Sequence, residues 1–242
     1  MRSTVRSAVA AAAVAGVLAG ALGACGSEED KTPGKKSSRK KASSAPAPPS
    51  RAQLKKMLLA KSDLPKSLKQ YDKVFPVPIV KGNLEASKPR CQPLADALHR
   101  GMPDQTHAWA KQRYMKALRD RFTVSLASYP SEKEAAAAVG ELKTSAAACT
   151  SPFRMVNKKA HYTDPYQGVK NKTAPRQGDQ ALAYDLRAVA DDGSRREFPF
   201  LHIYVRVGNV VATFVRVGSD RPEDNVIPPD LVEAQVGKLK SS

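Results

Sequence analysis

Aromatic residues are scarce, at 6% of the 242 positions with a single Trp, and the 23 acidic residues are outnumbered by 40 basic ones. A nucleic-acid surface needs stacking aromatics interleaved with its cations. The basic excess here lacks them, so no nucleic-acid partner is expected. With four His and three Cys, the chain has too few ligands for a zinc ribbon and too few sulfurs for a disulfide-dense miniprotein. His99, His107, His161 and His202 share no metal-ligand spacing, so no metal site is expected. No apolar run is long enough for a multi-span membrane protein. Local catalytic signatures are missing too: there is no G-x-S-x-G elbow, S-x-x-K box, H-E-x-x-H helix, Walker loop or dinucleotide fingerprint. The expectation is a protein without catalysis and without a cofactor. A carboxylate pair for glycoside chemistry stays open, because its members need not be neighbours in sequence.

What is present begins with an address. Arg2 and Arg6 precede an apolar stretch from Ala8 to Leu22, built of Ala, Val, Gly and Leu and too weak for a stable span. It ends in Leu22-Gly23-Ala24-Cys25, which resembles the bacterial lipobox, where small residues precede a Cys that receives a diacylglycerol thioether. Residues 1–24 therefore read as a lipoprotein signal peptide and Cys25 as the lipidation site. A soluble secretory signal ending just before Cys25 is the alternative. The Leu three residues ahead and the polar Gly26-Ser27-Glu28-Glu29-Asp30 behind favour the lipid. Each buried methylene contributes about 0.8 kcal/mol, so two acyl chains anchor stably where one does not. The expected place is the outer face of the cytoplasmic membrane.

Residues 25–50 hold no apolar side chain larger than Ala or Pro after Cys25. Such a segment cannot offset its ordering entropy and reads as a disordered Lys/Ser/Pro/Ala tether. Lys35, Lys36, Arg39, Lys40 and Lys41 are cations suited to anionic lipid or an acidic wall polymer. A solvated spacer is the equal alternative.

Residues 51–242 are the right length for one domain. Leu54, Met57 and Leu58 predict a helix from Arg51 to Lys61. Val74 and Val77, interrupted by Pro76 and Pro78, predict an irregular edge strand between Tyr71 and Lys81. Cys91 precedes a short helix with Pro93 in its first turn. The stretch around Trp109, Tyr114 and Met115 has no assignment. Alternation from Arg121 to Tyr129 predicts a strand, and Ser131-Glu132-Lys133-Glu134 opens a helix that ends at Cys149 on its buried side. In an oxidising compartment Cys91 and Cys149 are expected to pair. A catalytic Cys with a His partner is the rival, and no His motif supports it.

Asp192-Gly193 and Gly208-Asn209 are hairpin signals. Taken as two-residue loops, they pair Tyr184 with Leu201, Val205 with Ala212 and Ile203 with Phe214, giving a three-stranded meander. Leu182, Tyr184, Leu186, Leu201, Ile203, Val205, Ala212 and Phe214 then share an apolar face. The opposite face gathers Asp185, Arg187, His202, Tyr204, Arg206 and Thr213, the candidate ligand-binding residues; an ordinary solvated sheet face is the plain alternative. Pro228-Pro229-Asp230 starts a last helix with Leu231, Val232, Val236 and Leu239 inward. The fold class is α+β: an antiparallel sheet of about five to six strands, helices packed on one face, one disulfide.

The order of these features resembles actinobacterial exported lipoproteins with sensor-like domains. The residues that carry it are Asp63-Leu64-Pro65, Cys91-x-x-Leu94, Val124-Ser125-Leu126-Ala127-Ser128-Tyr129, Cys149, Gly178-Asp179 and Val205-Arg206-Val207-Gly208. More distantly, the chain is similar to the extracellular sensor domain of membrane Ser/Thr kinases. That resemblance implies a mixed α/β domain with a cleft that receives a ligand. The kinase sensors typically carry two disulfides, whereas this chain has cysteines for one. The function expected is a lipid-anchored protein that binds a small molecule, lipid or envelope component. An envelope-acting hydrolase or transferase and a structural assembly partner are the alternatives.

Overall fold

A computed structural model describes residues 47–77, 84–100, 106–118, 120–158, 161–190, 192–218 and 225–242. The expected signal peptide, Cys25 and the basic run from Lys35 to Lys41 lie outside the described residues, as do Pro78 to Asn83. Nine strands are assigned: β1 (Lys73–Pro76), β2 (Glu85–Ala86), β3 (Ala108–Ala117), β4 (Asp120–Ser128), β5 (Phe153–Asn157), β6 (Tyr162–Asn171), β7 (Gln180–Val189), β8 (Glu197–Val207) and β9 (Val210–Val217). They form one antiparallel sheet in the order β1-β3-β4-β9-β8-β7-β6-β5-β2. Among the described residues four α-helices accompany it: α1 (Arg51–Met57), α2 (Gln92–Arg100), α3 (Glu132–Ala148) and α4 (Pro229–Lys240).

The sheet is larger than the five or six strands expected. The unassigned stretch at Trp109 is β3, and Phe153 to Asn171 adds β5 and β6. The first helix stops at Met57, four residues short, and two 3₁₀ turns at Lys61–Asp63 and Lys66–Leu68 follow it.

Helices cover both faces of the sheet, not one. Leu54 and Leu58 from the α1 segment and Leu231, Val232, Val236 and Leu239 of α4 pack with Phe122, Val124, Leu126, Ile203, Val205, Ala212 and Phe214. On the other face, Leu94 of α2 and Ala135, Val139 and Leu142 of α3 pack with Ala127, Leu182, Tyr184, Leu186, Tyr204 and Val211. Alternate residues of the central strands thus enter different cores, so β4, β8 and β9 read as nearly continuous burial.

The β7–β8 register explains the difference. Gly208-Asn209 closes β8 onto β9 as expected, with Val205 opposite Ala212 and Ile203 opposite Phe214. Asp192-Gly193 does not form a two-residue loop. Gly193 and Arg195 both take positive φ, and Asp192 accepts a hydrogen bond from the Ser194 N–H, lengthening the turn. The ladder ends at Val189 opposite Glu197, which sets Tyr184 against His202 instead of Leu201. A shift of one residue turns every side chain of a strand over. Leu182, Tyr184 and Leu186 therefore leave the face of Leu201 and Ile203 and join that of His202 and Tyr204.

Cys91 and Cys149 form the expected disulfide, with Cα atoms 5.7 Å apart and both residues fully buried. It ties the start of α2 to the C-cap of α3. At the other end of α3, the Ser131 hydroxyl accepts from the Glu134 N–H as the capping pattern requires.

Candidate functional site

The face under α2 and α3 carries a band of polar side chains across five central strands. Lys111 of β3 stands opposite Ser125 of β4, Ser125 opposite Thr213 of β9, and Thr213 opposite Tyr204 of β8. The adjoining row runs Arg113, Thr123, Val215, His202 and Tyr184. Directly paired residues share a face, as do positions two apart on a strand. The rows are therefore neighbours on one side of the sheet. The band closes toward β8, where Thr213, Tyr204 and Tyr184 are buried, and opens toward β3, where Lys111, Arg113, Thr123 and Val215 are half-buried.

Three polar atoms in this band have no hydrogen-bond partner among the described residues: Ser125 Oγ, His202 Nε2 and Arg113 Nε. Ser125 is 2% and His202 1% exposed, so water does not compensate them. Most buried polar groups are paired, and each orphan costs about 1–3 kcal/mol. Lys111 and Arg113 have no ion pair among the described residues; the Arg113 guanidinium lies 6.0 Å from the Phe75 ring centroid. Burial, and secondarily the charge of Arg113, pushes the Lys111 ammonium pKa down. Among the described residues the band is electropositive, with no carboxylate paired to either cation.

His202 is held by two tyrosines. Its ring stacks on Tyr184 at 5.1 Å, and the Tyr204 hydroxyl lies 3.3 Å from Nδ1 and 3.0 Å from the Tyr184 hydroxyl. Burial first, and the Lys111 charge second, pushes the imidazole pKa down to about 3, so the ring is neutral at pH 7. Burial drives the Tyr184 and Tyr204 phenols upward, and both stay protonated. When Tyr184 donates to Tyr204 and Tyr204 to Nδ1, the imidazole proton sits on Nε2 as a donor with no acceptor.

The six expected ligand residues divide among three places. His202, Tyr204 and Thr213 come together in the band. Asp185 and Arg187 point to the opposite face, a consequence of the β7–β8 register. There Asp185, buried, takes an ion pair from Lys172 at 3.0 Å and a hydrogen bond from Asn225 Nδ2 at 2.9 Å. Arg187 pairs with Glu197 at 2.9 Å. Arg206 shares the face of His202 but serves the β8–β9 turn, where Nη1 donates to the Gly208 carbonyl at 2.9 Å and lies 3.3 Å from Asp179. Lys111, Arg113 and Ser125 are the members that sequence reasoning missed. Their signal was Lys111 and Arg113 alternating with Gln112 between Trp109 and Tyr114.

A separate pocket of about 280 Å³ is lined by Ile203, Ile227, Pro229 and Val232 together with Thr173 and Gln177, so its wall is mixed. No group of three or more His, Cys, Asp or Glu suited to a metal occurs among the described residues, and no helix among them is long and apolar enough to cross a membrane.

No protein-family model matches the chain, and no curated protein matches it. Among solved structures it is similar to the extracellular domain of PknH from Mycobacterium tuberculosis, with a TM-score of 0.56 and 14% sequence identity. The match covers 81% of this chain and 98% of that one. At this identity the likeness is one of fold.

Proposed function

We propose that the chain is an exported lipoprotein, fastened through Cys25 to the outer face of the cytoplasmic membrane, whose α+β domain binds a small molecule, lipid or envelope component without catalysis. The observation that carries the binding reading is the half-open band on the sheet face. A fold that leaves Ser125 Oγ, His202 Nε2 and Arg113 Nε unpaired forgoes stability that a bound ligand restores. Likeness in fold to an extracellular domain supports the placement outside the cell.

Native mass spectrometry of the protein purified from its own host tests this reading. The expected spectrum contains the chain with a small ligand bound. A bare chain that turns over wall or lipid substrates, and loses that turnover in His202→Ala, overturns it. Metabolic labelling with an alkyne fatty acid tests the anchor: the wild type takes the label and Cys25→Ser does not.

A further inference from the structure

We propose that Lys111, Ser125 and His202, with Arg113 as a flanking positive charge, form a site for an oxyanion, the carboxylate or phosphate group of the ligand. This deepens the binding reading above and rests on it. Lys111 and Arg113 bring two positive charges to one face of β3, and no described carboxylate neutralises either. Ser125, directly opposite Lys111, adds a buried hydroxyl whose oxygen is unpartnered. His202, on β8 two strands beyond Ser125 and near enough to Lys111 for that charge to act on its ring, adds a buried ring nitrogen that is unpartnered as well. Guanidinium, ammonium, hydroxyl and neutral imidazole N–H are all donors. A carboxylate or phosphate is the acceptor that satisfies such a set, and charge-assisted hydrogen bonds are the stronger kind.

Buried polar atoms normally have partners inside the protein. Ser125 Oγ, His202 Nε2 and Arg113 Nε have none among the described residues, and all three lie on the face that is half-buried toward Lys111 and Arg113. Val215, on the same row between Thr123 and His202, and Phe200, two residues before His202 on β8, give the site an apolar flank for an organic remainder.

Trp109, the one tryptophan of the chain, lies on the Lys111 face of β3 two residues away and reports on the site without a label. The full chain in non-ionic detergent is titrated with inorganic phosphate and with acetate, at ionic strength held constant with chloride, while Trp109 emission is followed. A saturable change is expected with one or both. Response to phosphate alone assigns a phosphate group; response to acetate alone assigns a carboxylate. The Lys111→Gln/Arg113→Gln variant is expected to raise the midpoint at least about ten-fold, the worth of one charge-assisted contact. Ser125→Ala is expected to raise it several-fold while leaving the melting temperature of the free chain equal or higher, because it removes a hydroxyl the free fold does not use. No saturable response to either anion, or midpoints unchanged in both variants, overturns the proposal. Native mass spectrometry separates the two failures. A ligand that stays on Lys111→Gln/Arg113→Gln leaves the binding reading standing and sinks the oxyanion; a wild-type chain bare of ligand and silent to both anions sinks both.

Discussion

At the scale of single residues, His202 controls how the fold answers to acid. Its folded pKa of about 3 lies below the ordinary 6.5, because burial and the Lys111 charge oppose the imidazolium. Between those values the unfolded chain binds a proton that the folded chain refuses. Stability is therefore complete above about pH 6.5 and is lost as pH falls toward 3, with a slope approaching about 1.4 kcal/mol per pH unit. Asp63, whose carboxyl the Lys238 side chain holds below its usual range, adds its own loss only at the acid end of that window. His202→Phe keeps a ring against Tyr184 and removes the titration. Urea midpoints measured from pH 7 to about pH 4.5 should fall more steeply in the wild type than in the variant. Parallel curves would show that His202 is protonated or hydrated in the fold. The same residue shows how much of the site was legible in sequence. Its position on a mixed strand face could be read from the β8 alternation. Its partners could not, because they depend on a register that one turn decides and on β3, where Lys111, Gln112 and Arg113 break the apolar pattern.

At the scale of elements, legibility follows the caps and breaks. Ser131 with Glu134, and Pro229 at the start of α4, mark helices through local hydrogen bonding and ring geometry, and both helices stand where those residues place them. The Asp192-Gly193 signal misled because it fits a two-residue loop equally well; the choice falls to Arg195, a residue with positive φ that no local pattern marks. Glycine positions in the turns test this account. Gly178 has φ +79, and a Cβ there would lie 2.4 Å from Val205 Cγ1 and 2.5 Å from the Arg206 carbonyl oxygen. Gly193 has φ +77 but faces open space. Gly193→Ala should cost about 1 kcal/mol from backbone strain alone, and Gly178→Ala roughly 3 kcal/mol, since the β7–β8 ladder must also shift. Chemical denaturation of both variants checks this, and equal losses would mean the close approach at Gly178 relaxes freely. The disulfide is the other element-scale device. Cys91 and Cys149 are 58 residues apart, and closing a loop of that size stabilises by about 4 kcal/mol in the chain-entropy account. Cys91→Ala/Cys149→Ala should lose that amount in urea unfolding, with hydrogen exchange rising first in α2. A loss spread evenly over the sheet would show that the bond does not act at the α2–α3 junction.

At the scale of the whole molecule, the net charge of +17, of which Arg2 and Arg6 of the expected signal peptide carry two, and the proposed acyl anchor answer differently to salt. Attraction between solvent-exposed cations and an anionic surface is screened within about 10 Å at 0.1 M ionic strength and within about 3 Å at 1 M. Acyl insertion is not screened. The unacylated Cys25→Ser chain is therefore expected to bind vesicles containing anionic phosphatidylglycerol at low salt and to leave them as salt rises, while the acylated chain stays. Two sources of the electrostatic term differ in where the charge sits. Five cations lie together at Lys35, Lys36, Arg39, Lys40 and Lys41; apart from Arg2, Arg6 and Lys31, the rest are scattered over the domain. Near a surface each cation of a polybasic run contributes about 1 kcal/mol. Replacing those five by Gln in the Cys25→Ser background should abolish low-salt binding in a co-sedimentation assay if the tether run carries it. Binding that survives the replacement with its salt dependence intact would place the attraction on the folded domain. The charged exterior of the domain, not the tether, would then carry the electrostatic attraction to the membrane.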